Sequence, residues 1–158
     1  MSHNISELSF QRVLFLGHTI NFYHTKNRAV HPDHFCVYGV LENSPGCAIG
    51  KHMTAENAKK LDDAGCDISV SWIYSEGHKD TLPLWMQDLG EEFLHNVQDI
   101  HDNDFYWNDK GLSEQGIEKT NQIIDAFGLP IPDGWEKEYL ALREKVTQPE
   151  AILMEALV

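Results

Sequence analysis

Apolar residues recur at three- and four-residue steps along three stretches of the chain, and each stretch predicts an amphipathic helix. The first contains Phe10, Val13, Leu14, Gly17, Ile20 and Asn21, with Ser6 placed to cap a helix running to about residue 23. The second contains Phe93, Leu94, Val97 and Ile100, entered through Glu91 and Glu92, whose charges suit the positive end of a helix dipole. His101 follows one turn after Val97, which places it along the edge of that buried stripe. The third contains Ile117, Asn121, Ile124 and Phe127, opened by Ser113 and stopped by Gly128. Local start and stop signals add three more helices. Thr54 and Gly65 bracket residues 55–64, Leu82-Pro83 opens a short helix ended by Gly90, and the extended turn Pro130–Gly134 leads into a helix over 135–146.

Between the first two stretches the pattern changes. Phe35 to Val40 is rich in aromatic and β-branched residues and predicts a strand. The run Glu42-Asn43-Ser44-Pro45-Gly46 predicts a turn, and Cys47 to Ile49 a return strand. Ile68 to Tyr74 reads as a third short strand or an extended crossing. The expected fold is α+β: a mainly helical single domain of about five helices packed on a small two- or three-stranded antiparallel hairpin. Residues 1–146 form that domain, and 147–158 form an apolar tail set off by Pro149, expected to contact a partner or a second copy.

Charge narrows the partners. The 158 residues carry a formal charge of −13, divided as +2 over residues 1–60 and −15 over 61–158. Such a surface argues against direct nucleic-acid binding through phosphates and leaves small ligands, host proteins and homo-oligomers as expected partners. No apolar run reaches membrane-spanning length, and the start Met1-Ser2-His3-Asn4 has no leader pattern. Three cysteines are an odd number, which suits reduced thiols and a cytoplasmic setting rather than a disulfide framework.

Two kinds of chemistry fit the polar residues. A thiol catalyst would use Cys47 as nucleophile, His101 as base and Asp102 to orient the imidazole. A ligand site would use Arg12, His18 and Lys51 for an anionic group, with Tyr38 and Trp107 against a planar base. Trp72, Tyr74, Trp85, Phe105 and Tyr106 are further aromatic candidates for that site. Zinc would need Cys36, Cys47, His101 and one of His18, His31, His34 or His52. The close ligand pairs that mark structural zinc are missing except for His31 and His34, so no metal is expected. No glycine-rich phosphate loop is present and no cofactor is expected; Gly46 and Gly50 read as turn and close-packing glycines.

The string Cys36-Val37-Tyr38-Gly39, continued by Gly46-Cys47-Ala48-Ile49-Gly50-Lys51-His52-Met53, resembles a motif of small phage and prophage proteins. Val97-Gln98-Asp99-Ile100-His101-Asp102, followed by Trp107, resembles a second segment of the same proteins. The likeness covers roughly residues 8–128, judged by motif order. The family has no assigned activity. The resemblance implies a compact phage-type accessory protein acting in the host cytoplasm. It would act by binding: it would sequester a small nucleotide-like ligand or inhibit a host or defence protein. The alternative is a cysteine-dependent hydrolase or transferase using Cys47 and His101.

Overall fold

The computed structural model describes residues 2–30, 36–40, 44–65 and 68–144, with side chains of the first helix from Glu7 onward. Among the described residues seven α-helices follow one another: α1 Ser2–Phe22, α2 Ala55–Ala64, α3 Val70–Ser75, α4 Leu84–Gln87, α5 Glu91–Asp102, α6 Glu114–Phe127 and α7 Trp135–Glu144. Short 3-10 turns lie at Gly50–His52, Lys79–Thr81 and Asp104–Tyr106. One cluster of buried side chains draws on all seven helices. At its centre is α5, packed against α1, α3, α6 and the Asp104–Tyr106 turn.

The capping signals act as expected. Thr54 accepts the Asn57 N–H at 3.1 Å and Ser113 accepts the Gly116 N–H at 3.2 Å. Gly128 closes α6 in the left-handed conformation, φ 59°. On α5 the predicted stripe Phe93, Leu94, Val97 and Ile100 is fully buried. α1 differs. Its middle is almost continuously apolar, so two faces compete for the core. The face carrying Phe15, Leu16, Thr19, Ile20 and Tyr23 is buried, while Phe10 and Leu14 are exposed. The helix also begins before Ser6, so its N-terminus is not where the sequence places it.

The expected α+β class is corrected. Among the described residues there is no strand, and the hairpin is absent; only isolated bridges join Val30 to Cys36 and Trp107 to Leu112. The reason lies in the backbone donors. Asp62 on α2 takes the N–H groups of both Tyr38 and Gly39 at 2.9 Å, so neither can join a ladder. Ala29 accepts from the Val37 N–H at 3.0 Å and Val37 from the Cys47 N–H at 2.9 Å, which leaves single pairings. Ile68 to Tyr74 is no strand either: Ser69 caps α3 by accepting the Trp72 N–H at 3.0 Å. Phe35, Glu42, Asn43, His31, His34 and the 147–158 tail lie outside the described residues.

Three arginines join the helices through backbone carbonyls. Arg12 donates to the Leu89 carbonyl through Nε and Nη2, at 3.1 and 2.9 Å, and lies over the rings of Phe93 and Phe127. Arg28 donates to the His101 carbonyl at the end of α5, at 2.7 Å, and pairs with Asp104. Arg143 reaches back to the Asn21 and Tyr23 carbonyls at the end of α1. Charged donors at helix C-termini satisfy carbonyls that have no partner within the helix, with roughly 1.5–3 kcal/mol for each charge-assisted bond.

Candidate functional site

Two groups of polar side chains stand out, one inside the protein and one at its surface. The inner group holds the residues expected of a thiol catalyst. His101 is completely buried. Its Nε2 accepts the Ala29 N–H at 3.2 Å, so the ring proton lies on Nδ1, which donates to Asp102 Oδ1 at 2.8 Å. The ring edge meets the face of Tyr23 with centroids 4.7 Å apart. Burial is the largest influence on its pKa and pushes it below the ordinary value, so the imidazole is neutral. Both ring nitrogens are thus engaged, and no lone pair is left to take a proton from a thiol.

Cys47 is also fully buried, and its sulfur accepts the Gly50 N–H at 3.3 Å. Its neighbour is Cys36, whose thiol is pushed well up, first by burial and then by Cys47. Gln98 Nε2 contacts Cys36 Sγ at 2.7 Å and donates to Asp102 at 3.0 Å. The structure brings Cys36, Cys47, Gln98, His101 and Asp102 into one neighbourhood, half-buried at Cys36 and Asp102 and buried at the others, but as hydrogen-bonded structural groups.

The surface group lies where α1 passes the Gly50–His52 turn and α4. Lys51 Nζ donates to His18 Nε2 at 2.6 Å and sits 3.3 Å from the centroid of the Phe22 ring. His18 stacks on Phe22 and lies 5.2 Å from His52 between ring centroids. The His52 ring meets Trp85 edge-on at 5.5 Å and Phe15 at the same separation. Gln11, Leu14, Phe15, His18, His52 and Trp85 line a cleft of about 420 Å³. A second cleft of about 650 Å³ shares Gln11 and Trp85 and runs on past Glu7 and Asp88. Trp85 is 47% exposed, an open aromatic face at the junction of the two.

Charge in this group resides on the lysine. No carboxylate pairs with Lys51 among the described residues, and burial lowers its pKa. Burial, then the neighbouring Lys51, lowers His18; burial, then His18 and Lys51, brings His52 to about 4. His52 Nε2 is buried without a partner.

A pH dependence of stability follows. An imidazole with a folded pKa below its unfolded value of about 6.5 binds its proton less readily when folded. Its contribution is therefore complete above about pH 6.5 and is lost as pH falls toward the folded pKa. For His52 that window runs from about 6.5 to about 4. After solvent screening at this half-buried ring, the effect is roughly 1–2 kcal/mol. His18 and His101 act in the same direction. Thermal melts should show a midpoint that drops between about pH 7 and pH 5, with a shallower drop in His52→Phe. A midpoint independent of pH across that range would show that the imidazoles are not held neutral.

Of the sequence-predicted ligand residues, the structure brings His18 and Lys51 together and leaves the others elsewhere. Arg12 is engaged with Leu89. Tyr38 is buried with its hydroxyl donating to the Ile68 carbonyl at 2.6 Å, and Trp107 is buried with its indole donating to Ile100 at 2.7 Å. Phe15, Phe22 and His52 were not in the predicted ligand set, and Trp85 was one of many aromatics. The signal was the spacing of Gln11, Leu14, Phe15, His18 and Phe22, which share one side of a helix. Among the described residues no group of three or more His, Cys, Asp or Glu side chains is arranged to hold a metal ion. No described helix is long and apolar enough to cross a membrane. Compared with known proteins, the chain matches no family model, no curated protein and no solved structure.

Proposed function

We propose that this chain is a phage-type accessory protein that acts by binding, and that it sequesters a small nucleotide-like ligand in the cleft between α1, the Gly50–His52 turn and α4. The observation that carries this reading is Lys51. In a chain of charge −13, this ammonium is held by a neutral imidazole and an aromatic face, with no carboxylate to neutralise it among the described residues. It is bonded to His18, which lines the cleft together with Phe15, His52 and Trp85. An aromatic wall with one nearby cation suits a planar ring that carries an anionic group. The phage-type part of the reading rests on the motif resemblance alone, and the engagement of both His101 nitrogens speaks against the Cys47 enzyme.

Titration with a nucleoside monophosphate, followed by tryptophan fluorescence, tests the reading. Binding should quench the signal, and Trp85→Phe should remove most of the change. Lys51→Ala should weaken the nucleotide by about tenfold, equivalent to ~1.4 kcal/mol, and leave the parent nucleoside almost unaffected. Equal affinity of Lys51→Ala and the parent protein for the nucleotide would refute the role of this cation.

A further inference from the structure

We propose that Cys36 and Cys47 are a modification site: they form a reversible intramolecular disulfide that shifts the turn carrying Lys51 and His52. The functional meaning of that shift rests on the binding reading above, but the disulfide and the shift do not.

The chemistry starts from proximity. The Cys47 N–H donates to the Val37 carbonyl at 2.9 Å, which sets the backbone of Cys47 alongside the residue next to Cys36. Cys47 lies near enough to Cys36 to add, after burial, to the upward push on that thiol. Each sulfur also lies against an N–H group, Gln98 Nε2 at Cys36 and the Gly50 amide at Cys47. Cys36 is half-buried and Cys47 fully buried, so a reagent meets Cys36 first.

The oxidant is a low-molecular-weight disulfide. The Cys36 thiolate attacks it, forms a mixed disulfide and releases one small thiol. The Cys47 thiolate then attacks the Cys36 sulfur and expels the second small thiol. Two protein thiols lose two protons and two electrons, and the small disulfide gains them. Burial holds Cys36 protonated, so the reaction is slow near neutral pH and quickens as pH rises.

The link to the cleft is Gly50. Its N–H is the donor to Cys47 Sγ, and it is the first residue of the Gly50–His52 turn. A sulfur drawn into a bond with Cys36 leaves that donor. Lys51 and His52 are the next two residues of that turn, and the Lys51 N–H is itself bonded to the Cys47 carbonyl at 3.1 Å, so a change at Cys47 reaches them first.

The native protein should be incubated with glutathione disulfide, blocked with N-ethylmaleimide and mapped by mass spectrometry without reduction. A peptide pair joining Cys36 to Cys47, restored to free thiols by dithiothreitol, is the expected result. Cys36→Ser and Cys47→Ser should each abolish it. A stable glutathione adduct on Cys36, a linkage to Cys66, or modification only in urea would each overturn the site. The turn is read from the imidazole NMR signals of His18 and His52, which should shift on oxidation while that of His101 moves less. Unchanged His18 and His52 signals in the oxidised protein would overturn the coupling. This readout needs no ligand, so a failure of nucleotide binding would defeat the proposed function alone.

Discussion

Gly50→Ala is expected to leave the chain unfolded or barely folded at room temperature. A Cβ at this position would lie 2.5 Å from the Tyr38 Cα and closer still to the Tyr38 carbonyl oxygen. These are backbone atoms and cannot rotate aside. Tyr38 is itself fixed, since Asp62 holds its N–H and its hydroxyl donates to Ile68. Relief would require the Gly50–His52 turn to separate from the Tyr38 segment, undoing the packing of Cys47, Ala48 and Ile49, all fully buried. The cost should exceed about 4 kcal/mol, a large part of the stability of a domain this size. Gly17→Ala is the matched control. A Cβ at Gly17 meets nothing within 4 Å, and the position is inside α1. There alanine should stabilise by about 0.5–1 kcal/mol. Urea melts of the two variants should move in opposite directions. A Gly50→Ala protein with a parental midpoint would mean that the turn does not press on Tyr38.

The second large effect is at His101. Removing the ring in His101→Ala leaves the Ala29 N–H without an acceptor, takes one donor from Asp102 and opens a cavity beside Tyr23. An unsatisfied buried donor and a cavity together should cost about 3–5 kcal/mol. His101→Gln keeps a carbonyl oxygen within reach of the Ala29 N–H and should recover part of that loss, about 1–2 kcal/mol. The comparison separates a structural histidine from a catalytic base. For a structural His101, Cys47 alkylation in each variant should follow the fraction unfolded and nothing else. A native-state alkylation rate that falls specifically in His101→Gln, with stability retained, would restore the thiol-catalyst reading.

The helices whose ends carry their own signals were legible residue by residue. α2 and α6 begin and end where Thr54, Gly65, Ser113 and Gly128 lie, and α5 begins at Glu91, because such signals act within a few residues of themselves. The segment around Tyr38 was not legible. Its aromatic and β-branched residues favour an extended chain, and it is extended in part, but a strand also needs its donors free. Asp62, 24 residues beyond Tyr38, takes two of them. His101 was legible as a neighbour of the α5 stripe and illegible as a buried residue, because the group that covers it, Ala29, comes from the loop after α1.

The candidate site divides in the same way. His18 and Lys51 belonged to the predicted set because basic residues gather in the first part of the chain. Arg12 belonged to it on the same ground, and the fold turned it instead to the Leu89 carbonyl. The amino-acid order by itself determined the predominance of helix, several helix boundaries and the acidic character of residues 61–158, since each depends on neighbours along the chain or on a simple sum of charges. Only the tertiary structure decided which face of α1 is buried, that no hairpin forms over the described part of residues 35–49, and that Lys51 rather than Arg12 stands beside the cleft. Each of these is a competition for a buried partner, and the winning partner lies tens of residues away.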